Sequence, residues 1–179
     1  MTRVSVYDIQ TPLRAQYKSA PLTARVTDHA RTTGADPGDP FHSTVEPLPG
    51  SGAVVPVGVH RAVGGLHDAP TPGDLLCAAL AACQESAVRM VANLLGVELE
   101  YLAVEVSADA DVRGAMAIDR YVPVGFQAIR CDVRLRAKPG TPAELLEKLC
   151  ASAERCCVVQ QTLRSPPPVE TTFAKDWVP

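Results

Sequence analysis

Aromatic residues are scarce: three Phe, one Trp and four Tyr make up 4% of the 179-residue chain. That leaves little from which to build a base-stacking platform or a large aromatic cofactor pocket. Charge of one sign is also lacking. Seventeen basic and 20 acidic residues give a net charge of −3, and the basic ones are scattered, so no footprint for nucleic acid or an anionic membrane exists. The opening MTRVSVYDIQ has no apolar stretch of the kind a secretory leader needs. The most apolar run, Leu75 to Cys83, falls short of the ~20 residues that span a bilayer. The expected address is therefore cytoplasmic, with no membrane partner. Glycine-rich nucleotide loops, HExxH and GxSxG are all missing. There is no CxxC, and His29, His42, His60 and His67 form no pair with ligand spacing, so neither a metal nor a cofactor is expected.

What is present is an ordinary globular composition, 46% apolar and 21% charged, in a chain long enough to bury its own core. Sixteen prolines cluster before and between the periodic segments. Residues 1–20 carry no convincing period and are expected to be an arm or tail that packs on something else, leaving 21–179 as one domain.

From Leu22 to Thr27 apolar and polar residues alternate, which predicts a strand. A turn-rich stretch over 32–40 follows, then strands at Phe41–Glu46 and Ala53–His60. Thr71-Pro72-Gly73-Asp74 is a capping box with Pro at the first helical position. The helix it opens should reach about Leu95, with Gly96 just past its end. The first half, LLCAALAAC, is apolar all round and should be buried on every side. So small a monomer can hardly cover such a helix, which points to a dimer. Alternation returns at Leu102–Ala108 and at Ile129–Leu135. Thr141-Pro142-Ala143-Glu144 reads as a second capping box for a helix reaching about Arg155, a short helical stretch follows from Cys157 to Leu163, and Val169, Thr171 and Phe173 fit a last strand. The order β-β-β-α-β-β-α-α-β marks an α+β fold rather than a doubly wound sheet.

Six cysteines are the informative residues, and in a reducing compartment they should rest as thiols. Cys131 lies on the apolar face of its strand, Cys77 lies roughly 120° from Cys83 around their helix, and Cys150 shares an i, i+4, i+7 face with Leu146 and Ala153; all three read as packing residues. A bond between Cys156 and Cys157 would be strained. Cys83 sits where the apolar helix turns polar, and Cys157 where a new helix begins, whose N–H groups would lower a thiol pKa. Buried packing is the competing reading for both.

At these two places the chain resembles the OsmC/Ohr family of thiol-dependent hydroperoxide reductases. PTPGDLLCAALAACQESAVRM, Pro70 to Met90, is similar to that family's central helix, with its first cysteine at Cys83. AERCCVVQQTLRSPPPVE, Ala153 to Glu170, resembles its second cysteine segment, in a register that selects Cys157. The resemblance implies antiparallel sheets wrapped around two central helices in an intertwined homodimer. It implies that Cys83 attacks an organic hydroperoxide and becomes a sulfenic acid, that Cys157 condenses with it to a disulfide, and that a dithiol, in some relatives a lipoylated protein, reduces that bond. It also implies an arginine from the N-terminal strands beside the reactive thiolate. Arg25, Arg31 and Arg61 are the candidates, with Arg31 the best placed. In the family an acidic residue follows the proline of the helix-opening turn; here that position is Gly73, and Asp74 is the next residue. The second cysteine is usually followed by proline; here Val158 follows. The alternative is the same fold with weak or lost peroxidase activity, binding a small apolar or thiol ligand between subunits.

Overall fold

The computed structural model describes residues 4–32 and 36–175; part of the expected turn (33–35) and of the N-terminal arm (1–3) lies outside them. The chain runs α1 (Val6–Ser19), β1 (Arg31–Thr32), β2 (Ser43–Glu46), β3 (Val55–Val57), α2 (Pro72–Leu95), β4 (Leu99–Asp109), α3 (Val112–Ala115), β5 (Ala128–Ala137), α4 (Ala143–Cys156) and α5 (Val158–Arg164).

The centre is α2. Its predicted ends hold: the Thr71 hydroxyl accepts from the Asp74 N–H at 3.2 Å, the Thr71 N–H donates to Asp74 Oδ2 at 2.8 Å, and Gly96 takes the left-handed conformation at φ 70°. Leu80, Gln84, Ala87, Val88, Val91 and Ala92 form its buried stripe. All-round burial of the first half is not found, since Ala78, Ala79 and Ala82 are exposed. One sheet and the helices α1, α4 and α5 cover only part of the cylinder within the chain. At 24 residues α2 is long and apolar enough to cross a bilayer, which the shorter apolar run concealed; its buried stripe is that of a core helix.

β4 and β5 pair antiparallel, with Leu102 opposite Leu135 and Val106 opposite Cys131. Their inward residues pack on the core with Leu149 and Ala153 of α4 and with Cys157. The outward residues carry a ladder of exposed ion pairs, Asp109–Arg130 at 2.9 Å, Glu105–Arg134 at 3.1 Å, Glu100–Arg136 at 3.3 Å, and Glu98–Lys138. Each adds little, because solvent screens it.

β1, β2 and β3 form a separate antiparallel sheet in that order, with Val57 its one buried residue among those described. A clamp ties this sheet to the loop before α2: His42 bridges Asp39 at 2.8 Å and Asp68 at 3.2 Å. The Asp39 hydrogen bond, then that of Asp68, raises the His42 pKa above its ordinary 6.5.

The N-terminal arm takes helical form, and three expectations are corrected. The N-terminal arm is a 14-residue helix, capped by Ser5 and free of buried residues; Asn93 of α2 holds its start by accepting from the Val6 N–H and donating to the Val4 carbonyl, both at 2.9 Å. The strand expected over Leu22–Thr27 is a 3₁₀ turn, Pro21–Ala24, followed by unpaired chain. Proline at its first position favours the turn, and no strand lies alongside. The second capping box does not form. Pro142, at ψ 139°, is itself the N-cap, and the Thr141 hydroxyl donates instead to the Lys138 carbonyl at 2.7 Å. The last strand over 169–173 is also unpaired, with Val169 and Phe173 exposed.

Candidate functional site

Cys83 and Cys157, 74 positions apart, meet in the core. Cys83 is carried on the fourth turn of α2 and is half-buried. Cys157 is the single residue between α4 and α5, capping both, and is 0% exposed. Cys83 packs against the core cluster that contains Cys157, close enough to act on the Cys157 thiol. The expected lowering of the Cys157 pKa by a helix start is outweighed. The Gln160 N–H of α5 does pull it down, but burial is the larger effect, and with Cys83 and Cys131 beside it the thiol is pushed up to about 11. A seven-residue helix has too few aligned peptides to offset that desolvation.

Asp74 and Arg31 are not brought to these cysteines within the chain. Asp74 lies nine residues before Cys83, about 13.5 Å along the helix axis. Its carboxylate accepts from the Thr71 N–H and hydroxyl, both at 2.8 Å, and from His67 at 3.3 Å. Those bonds, Thr71's first, hold its carboxyl below the usual carboxylate range. Arg31 lies on the exposed β1 and grips Glu46 across the strand pair, Nε at 3.1 Å and Nη2 at 3.0 Å. Of the other arginine candidates, Arg61 donates to the Leu66 carbonyl. Gly73 is packed under Phe126: a Cβ there would lie 2.9 Å from the ring tip, so a larger residue would have to displace the ring.

Several residues beside the pair escaped the sequence reading. Cys131 faces inward as expected and sits close enough to Cys157 for its charge to act on it. Burial raises its own thiol pKa. Gln84, next to Cys83, is 5% exposed and its Oε1 has no hydrogen-bond partner. Cys150 is exposed rather than core-facing, because the buried face of α4 is centred one residue earlier, on Leu149. Gln84, Cys131 and Cys150 line a cavity of about 980 Å³ whose other walls include Leu80, Val88 and Val133. It borders the cysteine pair through Gln84 and Cys131. Arg134, Arg136, Glu154 and Arg164 also line it, so the cavity is apolar on one side and charged on the other; two thiols brought this close can form an internal disulfide once one is oxidised. No group of side chains suited to a metal ion occurs among the described residues.

Comparison with known proteins follows the same line. No curated protein matches the chain. Among solved structures, the organic hydroperoxide resistance protein OsmC of Legionella pneumophila is 26% identical with a TM-score of 0.54, covering 79% of this chain and 92% of that one. An organic hydroperoxide resistance protein of Elizabethkingia anophelis is 20% identical with a TM-score of 0.57, covering 80% and 91%. An OsmC-like protein of Mycoplasma pneumoniae has 10% identity and a TM-score of 0.61, covering 79% and 89%. The α+β architecture is therefore the OsmC/Ohr fold. The family model described as OsmC-like protein matches residues 65–172, more than half of the chain, from the loop before α2 through both cysteine segments, and the chain belongs to that family.

Proposed function

We propose that this protein is a cysteine-based peroxidase that reduces organic hydroperoxides in the cytosol. The observation that carries the reading is the convergence of Cys83 and the buried Cys157 in one core cluster, close enough for one thiol to act on the other. Cys157 keeps its proton at neutral pH, so attack falls to Cys83. Its sulfur takes the terminal oxygen of ROOH, releasing ROH and leaving Cys83 as a sulfenic acid. The Cys157 sulfur then displaces hydroxide from Cys83, and the proton of Cys157 leaves with it as water. A small dithiol, or the dithiol of a lipoylated protein, restores both thiols by exchange. The apolar side of the adjoining cavity, Leu80, Val88 and Val133, is where the organic part of the hydroperoxide would sit.

The working form is a homodimer in which a second copy covers the open side of α2. Three features support this: the exposed Ala78, Ala79 and Ala82, the unpaired extended segment around Val169 and Phe173, and the free edge of β5. In that assembly Arg31 or Asp74 of one subunit is the residue that assists the other subunit's Cys83. Cumene hydroperoxide consumption with dihydrolipoamide as reductant tests the reading. The wild type should turn over and Cys83→Ser should not, while Cys157→Ser should react once and stop. Equal rates for wild type and Cys83→Ser would sink it.

Binding without turnover is the second reading. It is favoured by the engagement of Arg31 with Glu46 and by the ring of Phe126 where the family has a carboxylate. A protein that binds cumyl alcohol but does not consume the peroxide would select it.

A further inference from the structure

Three thiols gather at one place in the core, and the peroxide chemistry uses two of them. Cys131 of β5 is the third. Its strand sets it opposite Val106 of β4, and both residues pack on the cluster that holds Leu80, Val88, Leu149 and Cys157. Cys83 packs on the same cluster, whereas Cys77, Cys150 and Cys156 do not. Cys131 stands close enough to the Cys157 thiol for its charge to act on it.

Access divides the three. Cys157 is fully buried, and neither it nor Cys83 lines the cavity of about 980 Å³. Cys131 does line it. So does Cys150, which is exposed, so the cavity opens to solvent. A dithiol entering there meets Cys131 before it meets either sulfur of a Cys83–Cys157 bond.

We infer, resting on the peroxidase reading and extending it, that Cys131 is a redox-active third cysteine that carries the disulfide from the buried pair to the cavity. The Cys131 thiolate attacks the Cys157 sulfur. A Cys131–Cys157 bond forms, the Cys83–Cys157 bond breaks, and Cys83 leaves as a thiolate that takes up the proton Cys131 gave up. That step is an exchange with no net oxidation. A dithiol in the cavity then attacks the Cys131 sulfur and Cys157 leaves. The second thiol of the reductant closes on the first and releases Cys131. The protein has gained two electrons and two protons, and the reductant has become a cyclic disulfide. Burial, and then Asp132, raise the Cys131 pKa; the charged groups lining the cavity with it are Arg134, Arg136, Glu154 and Arg164. Below that pKa the thiolate fraction, and with it the exchange rate, rises about tenfold per pH unit. At neutral pH the first bond after a peroxide pulse is therefore still Cys83–Cys157.

The test maps disulfides by mass spectrometry. Wild-type protein receives one equivalent of cumene hydroperoxide without reductant and is quenched with acid at times from seconds to about an hour, between pH 7 and 9. A Cys131–Cys157 bond should grow at the expense of Cys83–Cys157, about tenfold faster per pH unit. Cys83→Ser protein receives diamide, which takes two electrons and two protons from a pair of neighbouring thiols and needs no peroxide chemistry; it should yield Cys131–Cys157. Cys131→Ala protein, oxidised with diamide to the Cys83–Cys157 form, should be reduced by dihydrolipoamide at least about tenfold more slowly than oxidised wild type. Absence of a Cys131–Cys157 bond from both preparations overturns the inference. So does Cys157 bonded to Cys150 or Cys156 in Cys83→Ser, or equal reduction of Cys131→Ala and wild type. Failure of the peroxidase reading shows differently, as no Cys83–Cys157 bond after peroxide while diamide still joins Cys131 to Cys157.

Discussion

Burial of Cys157 sets a rate that can be worked out beforehand. Its pKa rises from 9.0 to about 11, a penalty on the thiolate of roughly 3 kcal/mol. At pH 8 the thiolate fraction falls from about 10% for an ordinary thiol of that reference to about 0.1%. Alkylation by iodoacetamide needs the thiolate, so Cys157 in the reduced protein should react at least about 100-fold more slowly than a cysteine peptide. The exposed Cys156 next to it should label first and reports that the reagent is active. Because burial is the largest cause, Cys83→Ala should leave Cys157 slow. If the neighbouring sulfur dominated instead, the substitution would release it. The assay is pulsed alkylation with peptide mass mapping from pH 7 to 10. Labelling of Cys157 at the peptide rate, or its release in Cys83→Ala, would refute the reasoning.

Three further outcomes follow from the same geometry. The His42 clamp has a raised pKa, so its contribution is complete below pH 6.5 and is lost as pH rises through the higher folded value; His42→Gln should lower the melting temperature at pH 6 and leave it unchanged at pH 9. Gln84 has a buried orphan oxygen, so Gln84→Met should stabilise the protein by about 1 kcal/mol in urea melts, and a loss of stability would mean that a second copy supplies the missing partner. Thr71→Ala removes the hydroxyl that receives the Asp74 N–H and should cost about 1 kcal/mol, roughly 2–4 °C in thermal melting. Unchanged melting would show that the cap is dispensable.

How much was legible depended on whether a segment carries its own signal. α2 announces both ends, through Thr71 and Asp74 at one and Gly96 at the other, and β4 and β5 alternate over enough residues to be unmistakable. The first helix buries nothing and so has no apolar stripe to read. Alternation at Leu22–Thr27 and at Val169–Phe173 was real, but a period shows only that a segment suits a sheet, not that a neighbour lies beside it. Thr141 had the residue types of a cap one position too early, because Pro142 took the capping geometry. The meeting of Cys83 with Cys157 is a long-range fact that no spacing encodes; family likeness pointed to it. Cys131 could be assigned an inward face from its strand pattern, but its place beside Cys157 required the register with Val106.

The central claim is that Cys83 and Cys157 act as one redox pair. The most direct measurement is a disulfide map by mass spectrometry after one equivalent of cumene hydroperoxide, with quenching within seconds. The account predicts a single Cys83–Cys157 bond, absent in Cys83→Ser, with Cys77, Cys131, Cys150 and Cys156 still reduced. Slow oxidation scattered over all six thiols, led by the exposed Cys150 and Cys156, would contradict it.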